Sequence, residues 1–166
     1  MNELKFYDKF LATGFFSGYS PFAPGTMGAL VATVIWIIAS IYVPDQTALQ
    51  ALTLGVAMVF TLMSIEPINR LEKVWGEDPS KVVVDEMVGV WICLAVCPQT
   101  TLFSSTYWLY TAMAFALFRL FDIWKPFGIR KMESIKGGWG VMMDDILAGV
   151  YGSMVIMLCR LLGLGL

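Results

Sequence analysis

The sequence of 166 residues contains no histidine. This absence excludes Ser–His–Asp triads, Cys–His pairs, phosphohistidine intermediates and His-ligated zinc sites. The three cysteines lie inside or at the ends of apolar runs, and they form neither a CxxC metal motif nor a disulfide framework. Any catalysis by this chain therefore rests on carboxylates, lysine, arginine, hydroxyl groups and a metal ion.

Charge is also scarce. Charged residues make up 14% of the chain, against about a quarter in an average soluble domain, and hydrophobic residues make up 58%. The mean hydropathy of +0.72 points towards a membrane protein, and the net charge of −2 gives no indication of a nucleic-acid partner. The length suits one domain, which we expect to cover residues 1–166.

Five apolar stretches follow one another along the chain. As helices of about 16 to 22 residues they would be about 24 to 33 Å long, close to the thickness of the hydrocarbon core. Prolines at 44, 67 and 98 lie at or just beyond the ends of three stretches, where helices are expected to stop. The stretches are Met27–Val43, Ala48–Ile65, Val82–Cys97, Leu102–Phe121 and Val141–Leu162.

We therefore predict an all-α fold, a polytopic membrane helical bundle of four to five spans. Phe6, Phe10 and Leu11 beside Lys5 and Lys9 predict an additional N-terminal helix that lies at the membrane interface. The alternative is a soluble bundle whose central helices are buried on all sides.

Basic residues cluster in alternate connections, which predicts an orientation. With five spans, all of these connections fall on one side, which should be the cytoplasm, and Arg160 near the C-terminus is the exception. The basic residues are Lys5, Lys9, Arg70, Lys73, Lys81, Lys125, Arg130, Lys131 and Lys136.

Acidic residues occur where they are costly. Asp85 and Glu86 lie one turn inside the third stretch, Asp144 and Asp145 one turn inside the fifth, and Asp122 closes the fourth. A carboxylate within a membrane segment costs several kcal/mol unless it is paired or coordinated, so it marks a functional site by default. Adjacent carboxylates also repel each other unless a cation lies between them, and hard oxygen ligands suit Mg²⁺ or Mn²⁺. The alternative is a first helical turn favoured by the helix dipole and wetted by interfacial water.

A glycine follows each acidic pair about one turn later, at Gly89 and at Gly149. A small residue at that position allows two helices to approach closely. The pattern predicts that the two acidic pairs face one another.

Basic and hydroxylic residues accompany the acids. Arg119 and Asp122 lie three apart on one helical face, and Lys125 follows just before Pro126. Thr26 lies in a Pro- and Gly-rich turn that would begin a helix and offer an anion-binding start. Snorkelling of Arg119 and Lys125 to lipid headgroups, and simple turn geometry around Thr26, are the alternatives.

In these motifs the chain resembles the bacterial phosphatidylglycerophosphatase A family over almost its whole length. The resemblance implies an Mg²⁺-dependent phosphatase of the inner membrane that hydrolyses phosphatidylglycerophosphate to phosphatidylglycerol and phosphate in phospholipid biosynthesis. The matching stretches are Leu11–Gly28, Asp85–Gly89, Arg119–Pro126 and Gly137–Gly149.

For the phosphatase that the resemblance implies, metal-assisted phosphoryl transfer remains, because the chain has neither an Asp-x-Asp pair nor a Cys followed six positions later by Arg. Carboxylates would hold the metal, and Lys125 and Arg119 would neutralise phosphate charge, with Lys81 and Thr26 as further candidates. Asp122 would orient Arg119 or complete the metal shell. A cation- or proton-coupled transporter and a non-catalytic lipid-binding subunit are the competing functions. The predicted metal ligands are Asp85, Glu86, Asp144 and Asp145.

Overall fold

A computed structural model describes residues 5–77, 79–98, 101–126, 128–132 and 134–163. Within these ranges the chain is helical and contains no strand, which confirms the predicted all-α class. A 3₁₀ turn covers Ser17–Tyr19. The α-helices are α1 (Phe6–Ala12), α2 (Pro24–Tyr42), α3 (Gln46–Trp75), α4 (Val84–Ala95), α5 (Ser105–Trp124), α6 (Ile129–Met132) and α7 (Gly138–Leu161).

Three of the described helices, α3, α5 and α7, begin where a side chain accepts a hydrogen bond from a free backbone amide. The Asp45 carboxylate accepts from the Ala48 N–H at 2.7 Å at the start of α3, and the Ser104 hydroxyl accepts from the Tyr107 N–H at 3.2 Å at the start of α5. Helix α7 is capped from another helix, since the Asn69 side-chain oxygen on α3 accepts from the Gly138 N–H at 2.7 Å. This last bond fixes the start of α7 against the end of α3.

Helix α4 lies at the centre of the bundle and packs against α2, α3, α5 and α7. Its 12 residues give it a length of about 18 Å, which is too short to cross the hydrocarbon core. The third apolar stretch is therefore apolar because protein surrounds it. Its buried residues are Val84, Asp85, Met87, Val88, Gly89, Val90, Trp91, Cys93, Leu94 and Ala95.

Three of the described helices, α2, α3 and α7, are long and apolar enough to span a membrane. Helix α5 has the length, with 20 residues, but its polar side chains keep it out of this group. The predicted count of four to five spans is therefore not confirmed. Helix α2 carries one exposed apolar stripe at helical spacing, which suits contact with lipid and consists of Leu30, Val34, Ile38 and Ile41.

The prediction that a helix stops at Pro67 is wrong, because α3 continues through this residue to Trp75. A proline inside a helix removes one backbone hydrogen bond and costs about 3 kcal/mol. Packing offsets this cost: Ile68 and Leu71 are completely buried. Arg70 also pairs with both oxygens of the buried Asp8 on α1, at 2.7 and 3.0 Å.

The five longer helices run alternately up and down, so their ends meet at two faces of the bundle. At one face the Ser40 and Tyr107 hydroxyls lie 2.8 Å apart, and the Arg160 guanidinium donates to the Val96 carbonyl at 2.7 Å. Arg160, the exception to the charge pattern, thus caps the end of α4. The starts of α2, α4 and α7 and the ends of α3 and α5 lie at the opposite face. The basic connections lie at this face too.

Candidate active site

Helices α4 and α7 approach each other closely through two glycines. A Cβ atom on Gly149 would lie 2.5 Å from the Gly89 carbonyl oxygen, and one on Gly89 would lie 2.8 Å from the Asp145 carbonyl oxygen. Neither position has room for a side chain. The predicted close contact between the two acidic segments is confirmed.

This contact brings three carboxylates together. One oxygen each from Asp85, Glu86 and Asp145 lies within 4.8 Å of the other two, although Asp85 and Asp145 are only 7% and 3% exposed. Asp85 belongs to α4, which is not one of the three helices of spanning length. Burial raises the pKa of Asp85 well above its usual value, and the charges of Glu86 and Asp145 raise it further. We call these three residues the carboxylate group.

The carboxylate group fits a hard divalent cation. Oδ1 of Asp85 and Oε2 of Glu86 are buried and find no hydrogen-bond partner among the described residues. Buried polar atoms of this kind are costly unless something binds them. Carboxylate oxygens at this spacing are the ligands that Mg²⁺ and Mn²⁺ prefer.

Asp144, the fourth predicted metal ligand, lies outside the carboxylate group. Its Oδ2 accepts a hydrogen bond from the Lys125 Nζ at 2.6 Å, and its Oδ1 accepts from the Asp145 backbone N–H at 3.0 Å. Successive helical side chains differ in direction by about 100°, so Asp145 points to α4 while Asp144 points to the end of α5. Three of the four predicted metal ligands therefore lie together, whereas the fourth, Asp144, forms an ion pair with Lys125.

Lys125 lies at the C-terminal end of α5 in the left-handed region, with φ 48° and ψ 53°. Because Pro126 follows it, the backbone of Lys125 is pushed out of right-handed helical geometry. The left-handed conformation ends the helix and is uncommon for a residue with a side chain. It directs the ammonium group towards Asp144.

Arg119 and Asp122 form the pair predicted from their spacing, with the Arg119 Nη1 2.6 Å from the Asp122 Oδ2. The start of α2 packs against them, since a Cβ on Gly25 would lie 3.3 Å from the Arg119 Nη1 and would collide with the Glu86 carboxylate. Arg119 therefore pairs with Asp122 close to the Glu86 carboxylate, and its phosphate-binding role stays a prediction.

The other two predicted phosphate-binding residues, Thr26 and Lys81, are not among the residues that line the cavity described below. Thr26 follows Gly25. Lys81 is exposed, and its ammonium group lies over the Tyr19 and Trp75 rings at 5.3 and 5.6 Å from their centroids. Their phosphate-binding roles stay predictions.

A cavity of about 540 Å³ opens above the carboxylate group. Glu72, Glu77 and Lys136 also line it, and no motif of the sequence marks them as site residues. Glu72 and Glu77 follow Pro67, where the sequence predicts the end of a helix, and Lys136 stands out only as one of several basic residues in its connection. The lining residues are Glu72, Glu77, Asp85, Glu86, Asp122, Lys125, Ser134, Ile135, Lys136, Gly137, Gly140, Val141, Asp144 and Asp145.

Fold and site together define a class: an all-helical protein with helices able to span a membrane and a buried carboxylate group open to one end of the bundle. The chain belongs to the phosphatidylglycerophosphatase A family, whose family model matches residues 10–160. This finding confirms the resemblance seen in the sequence motifs.

Three relatives cover most of the chain. A Bacteroides thetaiotaomicron protein, provisionally named a phosphatidylinositol-3-phosphatase, is 54% identical over 96% of this chain and 98% of its own length. The phosphatidylglycerophosphatase A of Escherichia coli is 36% identical over 88% of this chain and 79% of its own length. The phosphatidylglycerophosphatase A of Haemophilus influenzae is 38% identical over 88% of this chain and 84% of its own length. No solved structure matches the chain.

Proposed function

We propose that this protein is an Mg²⁺-dependent phosphatase that hydrolyses phosphatidylglycerophosphate to phosphatidylglycerol and phosphate in phospholipid biosynthesis. It would act at the cytoplasmic face of the inner membrane. The observation that carries the proposal is the carboxylate group, two of whose oxygens have no hydrogen-bond partner in the described part of the chain, in a cavity that Lys125 also lines. Family membership and the names of two relatives support this lipid as the substrate.

The chemistry divides between the metal and the chain. When bound, Mg²⁺ polarises the phosphoryl oxygens and lowers the pKa of a water molecule. Asp85, Glu86 and Asp145 would hold the ion, and the Lys125 ammonium, held by Asp144, would donate to a phosphate oxygen and offset its charge. Water oxygen replaces the lipid oxygen at phosphorus, and that lipid oxygen leaves with a proton.

A second lipid substrate has a specific observation in its favour. The relative with 54% identity carries a name that refers to phosphatidylinositol 3-phosphate. This lipid and phosphatidylglycerophosphate both carry a terminal phosphomonoester and an inner phosphodiester. The same site chemistry therefore serves either substrate, and the choice between them lies in the rest of the headgroup.

Phosphate release by the purified protein in detergent–lipid micelles tests the proposal. Each lipid is supplied with Mg²⁺ or with EDTA, and Asp85→Asn and Asp145→Asn are compared with Glu66→Gln on the exposed part of α3. We expect EDTA to abolish release and each Asn variant to lower it about a hundredfold or more, while Glu66→Gln stays active.

Three outcomes would contradict this expectation. Equal release in EDTA would reject the metal, and near-normal turnover of both Asn variants would mean that the carboxylates are structural. In that case their neutralisation should leave the protein equally or more stable. Absence of release from every lipid would favour the transporter or the non-catalytic lipid-binding subunit.

A further inference from the structure

The cavity is much larger than a single phosphate bound at the carboxylate group would need. At about 540 Å³ it falls in the range that accommodates a whole small molecule. A single phosphate on the carboxylate group would fill only the inner part. The outer part is therefore available to the remainder of a lipid headgroup.

Two cations line this cavity among the residues that the structure describes, and they lie at different depths. Lys125 is half-buried beside Asp144, and Lys136 is exposed at the rim. The turn that carries Lys136 is held on both sides: the Ile135 N–H donates to the Met132 carbonyl at 2.9 Å, and the Gly138 N–H donates to Asn69 at 2.7 Å. Lys136 therefore has a defined position at the mouth of the cavity.

The lining beyond the carboxylate group carries both signs of charge. Glu72 on α3 and Glu77 just after α3 line the cavity together with Lys136, which lies two residues before α7. A second anionic group of a substrate is repelled by the two glutamates and attracted by Lys136. Exposed Ile135 and Trp139 flank Lys136, and aromatic and apolar side chains of this kind lie at membrane–water interfaces.

We propose that Lys136 binds the inner phosphodiester of the lipid substrate while the carboxylate group and Lys125 engage the terminal phosphomonoester. The proposal rests on the function proposed above and deepens it, because it assigns the two phosphates of one headgroup to two positions in the cavity. Lys136 then selects lipids with a phosphodiester between the glycerol backbone and the reacting phosphate.

Inhibition by the two reaction products distinguishes the phosphomonoester position from the phosphodiester position. Inorganic phosphate occupies the inner position, and phosphatidylglycerol carries only the phosphodiester. We expect Lys136→Gln to raise the KM for phosphatidylglycerophosphate and the inhibition constant of phosphatidylglycerol about fivefold each. The kcat and the inhibition constant of inorganic phosphate should change by less than about twofold, and Lys136→Arg should restore binding.

Lys131→Gln is the matched control, since Lys131 is exposed on α6 and does not line the cavity. Equal shifts in both glutamine variants would assign the effect to general attraction of the lipid surface and overturn the proposal. An equal rise in the inhibition constant of inorganic phosphate would also overturn it, because Lys136 would then serve the terminal phosphate. A wild-type protein that releases phosphate from no lipid would instead reject the function on which the proposal rests.

Discussion

At the scale of single residues, the two neighbouring aspartates of α7 have different partners. Asp145 joins Asp85 and Glu86, whereas Asp144 accepts from Lys125. One carboxylate is thus placed to bind a cation and the next is placed to hold a lysine. Because the Lys125 ammonium group neutralises the Asp144 carboxylate, the repulsion between the two adjacent carboxylates is lower.

This arrangement leads to a prediction for Lys125. Lys125→Ala should lower kcat/KM by about a hundredfold, because the phosphate loses a charged donor where charge develops in the transition state. Lys125→Arg should recover only part of the activity, since a guanidinium keeps the charge without the compact geometry. Kinetics in detergent–lipid micelles, normalised to folded protein, provide the measurement.

Arg130→Ala on the exposed surface of α6 controls for loss of a basic residue near the membrane. If Lys125 only snorkels to lipid headgroups, both Lys125 variants should keep normal kcat/KM and lose only stability or insertion. That result would remove Lys125 from the site.

At the scale of helices, the crossing of α4 and α7 determines the geometry of the carboxylate group. Gly89→Ala should displace the two helices, because the new Cβ would collide with the Phe118 ring and lie 2.8 Å from the Asp145 carbonyl oxygen. We expect activity to fall at least tenfold and the melting temperature to fall by several degrees, as overpacking costs about 1–3 kcal/mol.

Gly55→Ala on α3 is the matched control, since a Cβ there would meet nothing within 4 Å. Alanine in a helix interior is favoured over glycine by about 0.5–1 kcal/mol, so this variant should be equally or slightly more stable and fully active. Normal activity of both variants would show that the site tolerates a wider helix crossing.

At the scale of the whole molecule, the alternating helices place the site and the basic connections at one face. We predict that this face is cytoplasmic, as expected for a surplus of Lys and Arg. In a variant with Cys159 replaced by Ser, a membrane-impermeant thiol reagent applied to sealed cells should leave Glu77→Cys and Lys131→Cys unlabelled. Thr47→Cys at the opposite end of α3 should be labelled. The reverse pattern would place the site outside.

Much of this organisation is determined by local features of the sequence. The helices follow from apolar runs of helical length, and some of their ends follow from residues such as Asp45 and Pro98. The carboxylates were recognisable because Asp85, Glu86 and Asp145 occur in apolar surroundings, where an acid is costly. Gly89 and Gly149 indicated the contact between their helices, because a missing side chain is visible in the sequence.

Other features were decided only by the tertiary structure. A run of apolar residues has the same sequence pattern whether lipid or protein surrounds it. The sequence therefore could not distinguish the short, central α4 from a membrane-spanning helix. The helix continues through Pro67 because distant partners, among them Asp8, offset a local cost. The separate roles of Asp144 and Asp145, and the position of Lys136 at the cavity mouth, depend on the directions from which other helices meet α7. These are long-range contacts, and the spacing of residues along one helix does not contain them.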